Sequence, residues 1–66
     1  MTKLVWFVEP HISKDKDKRI LINLDNITCI VPSDEREDET LIYFNGNNCI
    51  RVRGTVEEVY KTIELA

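Results

Sequence analysis

Histidine occurs once, and cysteine, glycine and proline only twice each, in a chain of 66 residues. Each scarcity removes a class of function. With Gly46 and Gly54 far apart there is no glycine-rich loop to cradle a phosphate chain. Cys29 and Cys49 are too few for a disulfide framework, and with His11 as the sole histidine they lack the close spacing of a zinc site. No apolar run approaches the roughly 18 residues of a membrane span. The opening "MTKLVWFVEPH" is too short in its apolar part, and too acidic afterwards, for a secretory signal. These absences predict a cytoplasmic chain with reduced thiols and no span. Positive charge is also in the minority, at nine Lys and Arg against twelve Asp and Glu. Binding to a phosphate backbone needs a basic surface, so nucleic acid is disfavoured as a partner.

What is present is a series of short apolar runs separated by charged, Asn, Gly or Pro punctuation, the pattern of β-strands. Strands are expected over about 3–8, 19–24, 27–31, 40–44 and 48–53. Asn and Gly in "NGNN" tolerate positive φ and mark a hairpin between the last two. "TVEEVYKTIEL" differs in period. Thr55 and Glu58 have capping-box spacing, and Val56, Val59, Tyr60 and Ile63 form one apolar stripe, so a helix is expected over about 56–65. The predicted fold is one α+β domain, mostly β. It is an antiparallel, curved sheet of four or five strands, or a small barrel, with one C-terminal α-helix.

Strand parity predicts the faces. If the 45–48 connection leaves two or four residues in the loop, Leu41, Tyr43, Ile50 and Val52 share an apolar face, where the helix stripe would sit. Ile42, Phe44 and Cys49 then share the other face with Thr40, Arg51 and Arg53. A two-residue turn at Asp25 and Asn26 would place Ile20, Ile22 and Leu24 with Ile27, Cys29 and Val31, and Leu21 and Ile30 on the reverse. One short helix cannot cover both faces. Ile42, Phe44, Arg51, Arg53, Leu21 and Ile30 are therefore predicted as an interaction face, buried in a barrel or against a second copy.

Two charged stretches follow the loop pattern. "SKDKDKR" offers Lys14, Lys16 and Lys18, and "DEREDE" offers Asp34, Glu35 and Glu37. Both are candidate contact loops, though solvated tips are the commoner case. The acids are contiguous, are interrupted by Arg36 and lack the glycine of a calcium loop, so no metal is expected. Arg51 and Arg53, two apart on one strand, could grip a carboxylate, a phosphate or a single strand of RNA, but pairing with Asp38 or Glu39 across the hairpin is favoured. Cys29 and Cys49 read as small core side chains, and Trp6, Phe7, Tyr43 and Tyr60 as core aromatics. No catalytic residue and no cofactor is expected. A cysteine-dependent enzyme would require a reactive Cys49.

The run "ILINLDNITCIVP" followed by "LIYFNGNNCIRVRGTVEEVYKTI" resembles the small FlbD/SwrD-type flagellar proteins. The matching residues are Ile22, Asn23, Asp25 and Ile27, then Gly46, Ile50 and Val52, then Thr55, Glu57, Glu58 and Val59. The resemblance spans Arg19 to Ile63 and leaves out "EPHISKDKDK" and "SDEREDE". It implies a motility-associated role without chemistry of its own. The expected function is a non-catalytic protein-interaction module that forms a homo-oligomer. The alternative is an inhibitor of phage or mobile-element type, sequestering a host protein or a small, anionic, nucleotide-like ligand.

Overall fold

A computed structural model describes residues 3–66. Five strands and a helix follow in order: β1 (Leu4–Glu9), β2 (Lys18–Asn23), β3 (Ile27–Pro32), β4 (Glu39–Phe44), β5 (Asn48–Arg53) and α1 (Val56–Glu64). Single 3₁₀ turns lie at Lys14–Lys16 and Leu24–Asn26. The mostly β, α+β architecture expected from the pattern is therefore present. The strands form two antiparallel sheets, β1–β2 and β3–β4–β5, and these do not close into a barrel. β1 lies beside β5, so the sheets meet along one seam.

The helix forms for the reasons its sequence suggests. The Thr55 hydroxyl accepts the Glu58 N–H, and the Glu58 carboxylate accepts the Thr55 N–H, which satisfies two of the amides that a helix start leaves free. Gly54 enters at φ +115°, where a side chain would be strained, and lets β5 turn directly into α1. Val59 is buried, while Val56 and Ile63 are half-buried. Tyr60, expected on the same stripe, is 56% exposed. A nine-residue helix over a narrow sheet presents too little area to bury its whole stripe.

Two register expectations are corrected. Asn45, Gly46 and Asn47 make a three-residue loop, with Gly46 at φ +89° and Asn47 at +66°, so Phe44 faces Asn48 and Ile42 faces Ile50. An odd loop shifts pairing by one residue and exchanges the faces of the hairpin. Ile42, Val52 and Thr40 are the buried residues, joined by half-buried Phe44 and Ile50. Leu41 and Tyr43 turn outward instead, alongside Arg51 and Cys49.

The second correction is at Leu24–Asn26. The Asn23 side chain accepts the Asp25 N–H at 3.0 Å and starts a 3₁₀ turn, so the chain crosses from one sheet to the other instead of folding back. β2 pairs with β1, and β3 pairs with β4. A bulge between Ile27 and Cys29 then sets both Ile27 and Ile30 inward and Cys29 outward. Cys29 and Cys49 are thus exposed free thiols, where core side chains were expected. They flank Tyr43 in one cross-strand row, with a strand between them, which puts them beyond the reach of a disulfide with each other.

The core lies between the sheets, where Phe7 and Ile22 meet Ile42 and Val52, and Val59 closes one side. Val5, Ile20, Ile27, Ile30, Phe44, Ile50 and Ile63 pack around it. Five buried apolar side chains make a thin core even for this length.

Candidate functional site

The face expected to bind a partner does not exist as one surface. Ile42 is fully buried, and Phe44 and Ile30 pack against the core. Arg51 and Arg53 stand on the opposite side of the β4–β5 hairpin, and Leu21 lies on the other sheet. Of the six residues only Leu21 belongs to an exposed apolar surface. Two other surfaces take the place of that face.

The first is the outer side of the β1–β2 hairpin. Phe7 and Ile22 turn inward, so strand alternation turns Leu4, Trp6 and Val8 outward on β1 and Arg19, Leu21 and Asn23 outward on β2. Trp6 stands directly opposite Leu21. Leu4 and Trp6 are each 54% exposed and Leu21 is 45% exposed. The Arg19 guanidinium sits over the Trp6 ring, 4.6 Å from its centre, in a cation–π contact. An open groove of about 650 Å³ separates β1 from the end of α1 and is lined by Leu4, Val5, Trp6, Thr62 and Leu65. Leu65 is 85% exposed, and the Lys3 ammonium donates to the Ala66 carbonyl at 2.8 Å across the groove. The signal for this surface is Trp6 alternating with buried Phe7. A continuous run such as "LVWFV" conceals it, because such a run equally fits a strand covered on both faces.

The second surface is where the charged loops meet. Glu39 pairs with Arg53 in register, and Leu41 with Arg51, so both arginines rise from the outer side of the hairpin at its α1 end. Asp17, from the β1–β2 connection, accepts from Arg53 Nε and from Nη2, the latter at 3.2 Å, and also accepts the His11 N–H at 2.7 Å. The Arg53 fork, followed by the His11 N–H, holds the Asp17 carboxyl below its usual pKa, and the same bond raises that of Arg53. Asp17 is the member of this charged cluster that the sequence did not single out. It lies 36 positions from its partner, and nothing local distinguishes it from Asp15.

From the other loop, Asp38 approaches Arg53 Nη1 at 3.7 Å, and Glu39 lies 4.0 Å from the same nitrogen. Arg51 meets Glu39 at 3.4 Å and Glu35 at 3.9 Å. The expected pairing of these arginines with Asp38 and Glu39 is observed. Glu39 is buried, and its Oε1 has no hydrogen-bond partner among the described residues. Hydrogen bonds from Gly54 N–H to the Asp38 carbonyl (2.6 Å) and from the Thr40 hydroxyl to the Gly54 carbonyl (2.8 Å) fix this end of the sheet.

The remaining loop candidates do not converge. Asp34 and Glu37 are exposed, and the Glu35 carboxylate lies 3.9 Å from Arg51. The Ser33 hydroxyl accepts the Glu35 and Arg36 N–H groups and folds the acidic stretch into a compact turn. Lys16 and Lys18 are exposed, and the Lys14 side chain lies outside the described part of the structure. Among the described residues no three His, Cys, Asp or Glu side chains are grouped as a metal site would require. No described helix is long and apolar enough to cross a membrane. Comparison of the chain with protein-family models, with curated proteins and with solved structures gives no match.

Proposed function

We propose that this chain is a non-catalytic protein-interaction module whose first partner is a second copy of itself, docked through the outer face of the β1–β2 hairpin and the adjoining end of α1. The observation that carries this reading is Trp6, the only tryptophan, more than half exposed beside Leu4 and opposite Leu21. Tryptophan in the centre of an apolar patch is the commonest energetic anchor of protein interfaces. Patches of this kind on small domains mark contact surfaces.

A second copy is favoured by the thin core. A domain of about 60 residues buries only about 60% of its unfolded surface, and small scaffolds compensate with a disulfide, a metal or a partner chain. Both cysteines here are free thiols. The six outward residues of the hairpin include no acid, and Arg19 directs its charge onto its own Trp6, so an isologous contact across the hairpin face takes no hairpin carboxylate out of water. We extend the resemblance to FlbD/SwrD-type proteins to the same proposal, with a motility-associated setting as its consequence.

Sedimentation equilibrium over a wide concentration range tests the reading. A dimer that Trp6→Ser converts to a folded monomer supports it, and a wild-type monomer at every concentration refutes it.

A further inference from the structure

Beside the charged loops lies a cleft of about 340 Å³, lined by Pro10, His11, Ile12, Arg36, Asp38, Glu39, Arg51 and Arg53. Its size is that of a small-ligand site. Its chemistry is a surplus of hydrogen-bond donors. Arg53 spends Nε and Nη2 on Asp17, but its Nη1 comes no closer than 3.7 Å to any carboxylate. Arg51 meets its two carboxylates at 3.4 and 3.9 Å, both beyond good hydrogen-bond length. Arg36 makes no ion pair among the described residues. The His11 Nδ1 accepts from Ser13, so the neutral ring carries its proton on Nε2.

Asp17 takes two of the Arg53 donors, but the acids of the second loop position the arginines without forming close hydrogen bonds to them. Glu39 sits buried at the base, within 4.0 Å of both Arg51 and Arg53, yet its Oε1 accepts no hydrogen bond. Its negative charge holds two guanidinium groups side by side, while Arg53 Nη1 and the Arg51 nitrogens keep N–H groups without a close acceptor among the described residues. Glu35 and Asp38, with side chains 75% and 67% exposed, can turn to water when a better acceptor arrives. We infer that this cleft binds a small organic oxyanion, a carboxylate or a phosphate ester, gripped by Arg36 and Arg51 with His11 Nε2–H as a further donor. Planar guanidinium forks match the paired oxygens of these groups. Ile12, which is 97% exposed, and Pro10 supply an apolar shoulder for the carbon part of the ligand. The site is independent of the hairpin face and stands whether or not the chain dimerises.

The test is a titration of the full chain, followed by amide NMR shifts, with inorganic phosphate, phenyl phosphate and succinate in separate arms. Saturable shifts confined to residues 10–12, 36–39 and 51–53, in at least one arm, are expected. Saturation by phenyl phosphate alone assigns a phosphate ester, and saturation by succinate alone assigns a carboxylate. Phenyl phosphate binding more tightly than inorganic phosphate supports the apolar shoulder. Arg36→Gln removes one charge-assisted contact and is expected to weaken binding roughly tenfold or more. Because Arg36 is exposed and unpaired among the described residues, this variant keeps the fold where Arg51→Gln would strand Glu39. No saturation in any arm overturns the inference. So do shifts spread over Lys16, Lys18 and Lys61, or binding that Arg36→Gln leaves unchanged.

Discussion

The two ends of the β1–β2 hairpin treat their side chains in opposite ways. At the loop end, charges from three distant segments answer one another: Asp17 reaches Arg53, and Asp38, Glu39 and Glu35 reach Arg53 and Arg51. At the other end, Leu4, Trp6, Leu21 and Leu65 stand largely exposed, with no apolar neighbour laid over them. Charges can be matched within 66 residues because an ion pair needs only two side chains. Apolar surface needs a second layer, and one nine-residue helix, already seated on the three-stranded sheet through Val59, cannot supply it for both sheets. One end thus brings opposite charges from separate segments together, and the other leaves apolar side chains in water.

The largest effect is expected from the core beneath both ends. Ile42→Ala removes the centre of the cluster and should destabilise the chain by about 2–5 kcal/mol in denaturant titration. If the hairpin face were the true core of a differently packed fold, Ile42→Ala would be mild, and the comparison would fail. Next comes Trp6→Ser, expected to weaken self-association by about 2 kcal/mol or more, near thirtyfold, while the unfolding midpoint at high dilution stays within about 0.5 kcal/mol of wild type. Sedimentation and dilute unfolding together separate a contact residue from a core residue.

The loop end should respond to pH where the hairpin face does not. The folded-state pKa of Asp17 is depressed, mainly by the Arg53 fork. Its contribution is therefore complete above the ordinary carboxylate value near 4, and it is lost as pH falls through the depressed value. Asp17→Asn should lower stability at pH 7 and lower it less at an acid pH below the ordinary carboxylate value, a smaller effect than either above. An Asp17→Asn penalty that is the same at both pH values would mean that its role is steric. The smallest effect belongs to Glu35→Gln, whose 3.9 Å contact to Arg51 is exposed, with stability expected within about 0.5 kcal/mol of wild type.

The same contrast explains what was legible in the sequence. Element types follow from local rules, so five strands and the capped helix were readable, down to the reciprocal Thr55–Glu58 bonds. Faces follow from parity, and parity depends on whether "NGNN" closes as two, three or four residues. Asn and Gly accept positive φ in all of these, and the observed three-residue loop exchanges the faces of β4 relative to β5. The Asp25–Asn26 segment reads equally as a hairpin turn or a crossing. The Asn23 side chain favours the crossing, which sends β2 to β1 and β3 to β4. At the loop end, Arg51 and Arg53 with Asp38 and Glu39 were legible because they are cross-strand neighbours. Asp17 was not, because only the folded chain brings the first loop to β5. The apolar side chains left exposed are Trp6 and Leu21, and not Phe44 and Ile42, which lie in or against the core.

The indole of Trp6, the sole tryptophan, reports on that surface directly. Its fluorescence emission should move to shorter wavelength as protein concentration rises, over the same range in which the sedimenting mass doubles. Emission typical of a water-exposed indole at every concentration, with the mass of a single chain, would contradict the account.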